Sequence, residues 1–271
     1  MYPIHTAICW VCRRNSNPEA AVDIVKFLLD CDPRVKHQKI LGLIPLLGTV
    51  SGEKFNDTNI SAGLEIMGAI YDADPEAIEE SRIEMGILRI QARHQQVQAF
   101  INEHLFFARQ AKNERVMTTP NEYGRLALHT ALKHNVRLGS IKLLVKGYPR
   151  ALQSSDNSGA LPLHIACAHH ESASVVQHLV ELDTTTLEAV DEDNNTALHY
   201  ACRGAKYETI TLLLRKYDAV SVSKRNAQKK LPIDLLWESN EVVDRESVEY
   251  TGSIFQLVKA YPENVMVMNR M

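Results

Sequence analysis

The stretch DNSGALPLHIACAHH, from Asp156 to His170, decides the fold of this protein. Its last seven residues contain three histidines and one cysteine. His164 and Cys167 are three residues apart, so a helix would place both side chains on one face, as a metal site or a nucleophilic site requires. Two hypotheses therefore compete for this stretch: a chemical site, or a structural motif whose residue types resemble one.

The same pattern occurs four times along the chain. The copies begin at Asn121, Asp156, Asp191 and Asn226, so the spacing is 35 residues each time. The first three copies share a Leu-His pair, with an alanine two residues after the histidine. The histidine column contains His129, His164 and His199, with Asp234 in the fourth copy. A fixed period in this range is typical of proteins built from stacked structural repeats.

A second apolar segment follows each motif. Leu144, Leu179 and Leu214 keep the 35-residue period within it, whereas Leu257 occurs eight residues late. An insertion near residues 238–247 explains the delay. Each unit is therefore predicted to contain a turn, a short helix, a loop and a longer amphipathic helix.

Turn and cap residues support the same assignment. Asp and Asn open the turns, and glycine or asparagine occupies a column that suits a positive φ. Proline fits the first position of a helix, where no hydrogen bond is lost, and threonine is a good N-cap. The residues concerned are Gly124, Gly159 and Asn194 in the turns, Pro162 and Pro232 at first helical positions, and Thr196 as an N-cap.

Two of the copies match the pattern of a known family. DNSGALPLHIA (156–166) follows D-x-x-G-x-T-P-L-H-x-A with Leu161 in place of the threonine, and DEDNNTALHYA (191–201) departs only at the glycine and the proline. Residues 120 to 268 thus resemble the ankyrin-repeat family. The resemblance implies an all-α fold, a solenoid of stacked helix-turn-helix units joined by hairpin-like loops. The period is about two residues longer than the common ankyrin unit, which indicates longer loops.

The resemblance also predicts the domain organisation, with about six to seven units in all. Residues 1–119 are predicted to form degenerate ankyrin-like repeats, with a long helix near 94–113. Residues 120–271 are predicted to form four regular repeats, at about 121–155, 156–190, 191–225 and 226–268. The chain begins inside a motif, so the first repeat is a trimmed cap, or the chain is the ankyrin portion of a longer multidomain protein whose activity lies elsewhere.

The residues that suggest chemistry also have structural explanations. The resemblance implies that the repeated histidine, which includes His5, bonds backbone groups of the neighbouring hairpin. Cys167 and Cys202 share a column that holds Leu132 in the first copy, which indicates a packing position. CWVC (9–12) has redox spacing but lies in a predicted helix rather than after a strand. We expect no catalytic residue, no metal site and no cofactor, and a Cys/His metal- or redox-sensing module is the alternative.

Bulk properties exclude several other classes. The chain has 271 residues and a net charge of −3, which gives no overall attraction to nucleic acid or anionic membranes. Five cysteines are an odd number and argue for a reducing, intracellular location, either cytoplasmic or nuclear. The most apolar window, 40–50, is far shorter than the roughly 20 residues that a membrane helix needs. No nucleotide-binding or catalytic motif occurs, so we expect no enzyme.

The resemblance finally implies a protein-interaction scaffold that binds another protein through its concave face. In this family the contacts come from the hairpin fingers, here the turns that open each copy, and from the ends of the first helices. Carried over residue by residue, these are Glu122, Tyr123, Arg125, Asn157, Ser158, Glu192, Asp193, Gln228 and Lys230 on the fingers, and Lys133, His134, Ala168, His169 and Arg203 on the helix ends. We expect a monomer without a membrane partner. The basic stretch KRNAQKK (224–230) keeps nucleic acid as an alternative that we do not favour.

Overall fold

The computed structural model describes residues 4, 18–32, 59–76, 95–170, 172–216, 222–239 and 247–262. All regular secondary structure in these residues is helical, which confirms the all-α prediction. The predictions for His5, for the cysteine pair at 9 and 12 and for the apolar window at 40–50 concern residues outside this part of the chain.

The first three helices are long and amphipathic, and a short fourth helix follows them. In the second of them, Ile66, Met67, Ile70 and Tyr71 are buried, and their spacing places them on one face of the helix. The helices are α1 Pro18–Cys31, α2 Ile60–Ala73, α3 Gln95–Ala111 and the short α4 Glu114–Thr118. Helix α3 lies where the sequence predicts a long helix.

From residue 127 onward, short helices alternate with longer ones. The short helices are α5 Ala127–Lys133, α7 Pro162–His169, α9 Ala197–Arg203 and α11 Pro232–Glu238. The helices that follow them are α6 Leu138–Gly147, α8 Ala173–Leu182, α10 Tyr207–Leu214 and α12 Val248–Ala260. Two 3₁₀ helices, Pro149–Gln153 and Thr184–Leu187, follow α6 and α8.

The starts of the short helices agree with the sequence. Pro162 and Pro232 are the first residues of α7 and α11. Proline at this position costs no hydrogen bond, because the first amides of a helix have no partner within it. Thr196 is the N-cap of α9, and its hydroxyl accepts a hydrogen bond from the backbone N–H of His199 at 3.5 Å. All three predictions are confirmed.

The turns confirm the prediction of positive φ. Gly124, Gly159 and Asn194 have φ of 72°, 77° and 59°. The fourth member of this column is Lys229, with φ of 61°, and the sequence did not reveal it. A Cβ atom on Gly159 would lie 2.8 Å from the backbone nitrogen of Glu192, so glycine is required there for space as well as for φ.

The chain divides into two compact units. The first contains Met1–Glu114 and Arg137–Gly147, and the second contains Arg115–Val136 and Tyr148–Met271. In the first unit α1 packs against α2, while α6 packs against both α2 and α3. The buried side chains of α1 and α2, with Val97, Ala108 and Leu143, form its core. The predicted division into 1–119 and 120–271 stays a prediction, because packing units and sequence repeats divide a chain by different criteria.

Polar contacts at the end of α2 hold the start of α6 in the first unit. The carboxylate of Asp72 accepts hydrogen bonds from the Gly139 backbone N–H at 2.8 Å and from Arg137 at 3.2 Å. The Lys142 ammonium donates to the Asp72 carbonyl at 2.6 Å. The hydroxyl groups of Tyr71 and Ser140 are 3.0 Å apart and buried. These contacts fix the register of α6 against α2.

In the second unit the short helices form one row. Helix α7 packs against α5 on one side and α9 on the other, and α9 in turn packs against α11. The longer helices α8, α10 and α12 also pack in order. Leu128, Leu132, Leu198 and Leu236 are completely buried in this arrangement. The row brings the ends of the short helices together.

Candidate protein-binding face

Each hairpin finger is built around an opening Asn or Asp. The fingers are residues 121–125, 156–160, 191–195 and 226–230. In the second finger, the Asp156 carboxylate accepts hydrogen bonds from the backbone N–H groups of Ser158 and Ala160 at 2.9 and 3.1 Å. Asn121, Asp191 and Asn226 accept similar backbone hydrogen bonds in the other fingers. The turn residues predicted from the sequence thus close every finger in the same way.

Backbone hydrogen bonds join each finger to the next. Asn157 N–H donates to the Tyr123 carbonyl at 3.0 Å, and Glu192 N–H donates to the Ser158 carbonyl at 3.1 Å. Ala227 N–H donates to the Asp193 carbonyl at 2.7 Å. The acceptors and the donors each recur at 35-residue intervals along the chain. This ladder holds the four finger tips in one row at a regular spacing.

The histidine column attaches each short helix to backbone on both of its sides. His164 Nδ1 accepts from the Leu161 N–H at 2.9 Å, and its Nε2 lies 3.3 Å from the Ala189 carbonyl oxygen. His199 Nδ1 accepts from the Thr196 N–H at 3.2 Å, and its Nε2 lies 3.2 Å from the Lys230 carbonyl oxygen. Since Nδ1 accepts in both residues, Nε2 carries the proton and donates.

The other two members of the column behave similarly. His129 is completely buried and its Nδ1 accepts from the Leu126 N–H at 3.2 Å. Its Nε2 has no hydrogen-bond partner among the described residues, although the backbone of Ala160 and Ser154 lies near it. Asp234 accepts from the Leu231 N–H at 2.8 Å. The side chain at this position therefore accepts the same local backbone hydrogen bond in all four copies.

Burial determines the ionisation state of these groups. It lowers the pKa of His129 and of His164, and it lowers the pKa of His199 to about 4. The imidazoles are therefore neutral near pH 7, as donation from Nε2 with acceptance at Nδ1 requires. Cys167 and Cys202 are fully buried, and burial raises the pKa of both thiols. Neither sulfur is present as the thiolate that nucleophilic or metal chemistry needs.

Metal chemistry finds no support in the described part of the chain. Within it, no three or more His, Cys, Asp and Glu side chains come together in a way that could hold a metal ion. His164 and Cys167, which the opening stretch places on one face, are accounted for by backbone hydrogen bonding and by packing respectively. The residues at 9 and 12 lie outside the described ranges.

Most of the fourteen partner-binding residues that the ankyrin resemblance implies, called the carried-over residues below, lie on the surface. Three of the fourteen are only partly exposed: Arg125, Ala168 and Lys230. Arg125 binds the buried Asp156 carboxylate at 3.0 Å and lies 5.7 Å from the ring centre of Tyr123. Lys230 binds Glu238 at 2.6 Å. The exposed members are Glu122, Tyr123, Lys133, His134, Asn157, Ser158, His169, Glu192, Asp193, Arg203 and Gln228.

Helix packing brings the helix-end residues into one row. Lys133, His169 and Arg203 are the last residues of α5, α7 and α9. The contact between α7 and α9 is so close that a Cβ atom on Gly204 would lie 2.5 Å from the Ala168 carbonyl oxygen. Glycine at this position therefore lets the ends of α7 and α9 approach.

Two residues of this region were missed from the sequence. His170 is almost completely buried, with Nε2 3.0 Å from the Val136 carbonyl oxygen and Nδ1 accepting from the Ser172 N–H at 3.1 Å. It joins the loops that follow α5 and α7. Lys206, in the loop after α9, lies close enough to His169 to affect its pKa. No other copy repeats these residue types, so periodicity could not identify either one.

Helices of alternating length, a hydrogen-bonded row of turns and a repeated buried histidine define a helical repeat protein. Residues 136–226 match the family model of ankyrin repeats, in three copies. Residues 136–226 therefore contain ankyrin repeats, which confirms the resemblance in this segment. Ankyrin repeats are generally protein–protein interaction modules, and the family is typically non-enzymatic.

No curated protein significantly matches the chain. Among the described residues, none of the helices has both the length and the apolar character needed to cross a bilayer.

Proposed function

We propose that this protein is a non-enzymatic scaffold that binds a partner protein through its fingers and helix ends, on the concave face of an ankyrin solenoid of six to seven units. The observation that carries the proposal is the ladder between fingers. Hydrogen bonds of 3.0, 3.1 and 2.7 Å connect consecutive fingers, while most tip side chains remain exposed. Such a surface offers a regular series of contact positions to one extended partner.

The rigidity of the fingers favours binding. Each tip is closed by hydrogen bonds to its opening Asn or Asp and joined to its neighbours through the backbone, so little conformational freedom remains to be lost when a partner binds. Buried histidines beneath the fingers add further fixed contacts, such as the one from His199 to Lys230. Preorganisation of this kind raises affinity without adding contacts.

The chemistry of the tips suggests where specificity lies. Tyr123 is 58% exposed and carries the one large aromatic ring among the carried-over positions. Arg125 lies over one face of that ring and is itself held by Asp156, which limits the motion of the tyrosine. An exposed but restrained aromatic side chain is the kind of residue that dominates binding energy. The acidic pair Glu192 and Asp193 on the third finger adds charge that orients a partner.

Site-specific crosslinking tests the proposal. A photoreactive phenylalanine analogue replaces Tyr123 in one variant and Gln177, exposed on α8, in a control. We expect crosslinks from position 123 to a discrete partner protein, and none to that partner from position 177. A partner captured only from position 177, with an unchanged melting temperature in both variants, would place the binding surface elsewhere.

The finer predictions belong to the same proposal. These are the four regular repeats after residue 120, a monomeric state, an intracellular location and the absence of enzymatic activity. Sedimentation of the purified full chain checks the monomer: a mass near 30.5 kDa is expected, and twice that mass contradicts it.

A further inference from the structure

The ends of α5 and α9 carry positive charge that has no carboxylate partner among the described residues. Lys133 and Arg203 are exposed, and within the described residues neither of them pairs with a carboxylate. The polar contacts of Arg203 are the Asn195 side-chain oxygen at 3.5 Å and the face of the Tyr200 ring at 5.6 Å. These residues thus keep their charges available at the surface.

Several other cations of this protein are paired, which makes the contrast informative. Arg125 binds Asp156, Lys230 binds Glu238 and Arg137 binds Asp72. Lys26 binds Glu65 even on an exposed surface. The protein therefore supplies carboxylates to Arg125 and Lys230 on its fingers and to Lys26 and Arg137 in its first unit, but the described residues supply none to Lys133 or Arg203.

The electrostatic environment of His169 supports the same conclusion. His169 ends α7, in the middle of the row. After burial, the causes that lower its pKa are the positive charges of Lys133, Arg125 and Lys206. These groups come from three separate segments of the chain, so the positive potential is a property of the row and not of one helix.

The dimensions of the row define the size of a ligand. Packed helices lie about 8–10 Å apart, so the ends of α5 and α9 are separated by roughly 20 Å across α7. An extended peptide covers about 3.3–3.6 Å per residue. About six residues of extended chain therefore span the row, with alternate side chains directed toward it.

Charge next to the row favours a protein segment over nucleic acid. The finger tips carry the carboxylates of Glu122, Glu192 and Asp193, and all three residues are exposed. A continuous phosphate backbone would be repelled by these groups, and the chain as a whole has a net charge of −3. A peptide with separate acidic residues can place its carboxylates on the row and neutral groups beneath the tips.

Building on the proposed function, we propose that Lys133 and Arg203 bind an acidic segment of the partner protein, about six residues long and rich in Asp or Glu. The segment lies across the ends of α5, α7 and α9, and its carboxylates pair with the two cations. Such pairs set the register and the rate of association more than they add to affinity.

Fluorescence anisotropy tests this assignment, with the full chain as the receptor and labelled ten-residue peptides as the ligands. The probe peptide alternates Glu and Ser, and its neutral counterpart alternates Gln and Ser. We expect the Glu peptide to bind more tightly than the Gln peptide, with an affinity that falls as salt concentration rises. The double variant Lys133→Glu/Arg203→Glu should weaken binding of the Glu peptide about tenfold.

A matched control separates the row from total charge. Arg215→Glu/Lys259→Glu makes the same change in net charge at two exposed residues outside the row, one directly after α10 and one in α12, and should leave peptide affinity within about twofold. Equal losses of peptide affinity in both double variants would overturn the inference, and so would equal binding of the two peptides. It would also be overturned if the Glu peptide did not bind the unmodified protein, or if a ten-nucleotide RNA bound more tightly than the peptide. If crosslinking at position 123 still captures a partner in such a case, the proposed function stands and only the acidic segment is wrong.

Discussion

The Nε2 atom of His199 lies 3.2 Å from the carbonyl oxygen of Lys230, at the end of the next finger. The opposite ring nitrogen accepts a hydrogen bond from the Thr196 N–H within the same repeat. A single neutral imidazole thus fixes the start of its own helix and holds the following finger. His164 makes the first of these bonds to Leu161, and its Nε2 lies 3.3 Å from the carbonyl oxygen of Ala189, just before the next finger. This explains why a motif that resembles an active site belongs to the scaffold.

Removal of one such histidine should destabilise the fold. His164→Ala deletes a buried group with two backbone partners, and we expect the free energy of unfolding to fall by about 1–3 kcal/mol. Urea denaturation followed by circular dichroism measures the change. Gln177→Ala on the exposed face of α8 serves as the control and should change stability by less than about 0.5 kcal/mol. An unchanged stability of His164→Ala, with an altered metal content, would contradict the structural role.

Stability should decrease as the pH falls below 7. Burial lowers the pKa of His199 to about 4, whereas an unfolded histidine titrates near 6.5. Between these values the unfolded chain binds more protons, so folding becomes less favourable as the pH drops through this window. Thermal melts from pH 7 to pH 4 measure the total effect, to which other titrating groups also contribute. His199→Gln removes this titration, and its loss of stability on acidification should be smaller than that of the unmodified protein by up to about 3 kcal/mol. Equal losses in the two proteins would show that His199 does not carry the effect.

Lys229→Gly should stabilise the protein. Lys229 has φ of 61° in the column that Gly124 and Gly159 occupy in earlier fingers. A non-glycine residue in this region of φ costs about 1–2 kcal/mol, and part of this is recovered when glycine replaces it. We expect a gain of about 0.5–1 kcal/mol in the free energy of unfolding. Ala227→Gly in the same finger, where φ is not positive, should give no gain. A gain of similar size in both variants would indicate a cause other than φ.

Asp72→Ala should loosen the start of α6. The Asp72 carboxylate accepts from the Gly139 N–H at 2.8 Å and binds Arg137 at 3.2 Å, so its loss leaves both groups without that partner. We expect a decrease in stability of about 1–3 kcal/mol. Amide hydrogen exchange should also accelerate at residues 138–141, which provides a local readout. Asp23→Ala, exposed on α1, is the control and should leave exchange at these residues unchanged. Unchanged exchange in the Asp72 variant would show that this carboxylate does not hold α6.

Features with local causes could be predicted from the sequence. The start of α7 at Pro162, the N-cap at Thr196 and the positive φ at Gly159 each depend on the chemistry of one residue and its immediate neighbours. The ankyrin resemblance depends on a 35-residue period that is visible without coordinates. The exposed position of most carried-over binding residues follows from their place in turns and at helix ends.

Features with distant causes could not be predicted. Lys229 adopts a positive φ although its residue type gives no sign of it, because the ladder and the Asx turn impose the same path on every finger. Arg125 is neutralised by a carboxylate of the next finger, and His170 is buried against a loop 34 residues earlier. Each of these depends on which repeat surfaces come into contact.

The sequence by itself determined the helical class, the repeat period and the structural nature of the histidine column, because these arise from local propensity and from repetition. The tertiary structure alone decided which charges remain available. Arg125 and Lys230 are paired, whereas Lys133 and Arg203 meet no carboxylate among the described residues. The reason is physical: pairing depends on distances of a few ångströms between groups that stacking brings together, and residue order does not encode those distances directly.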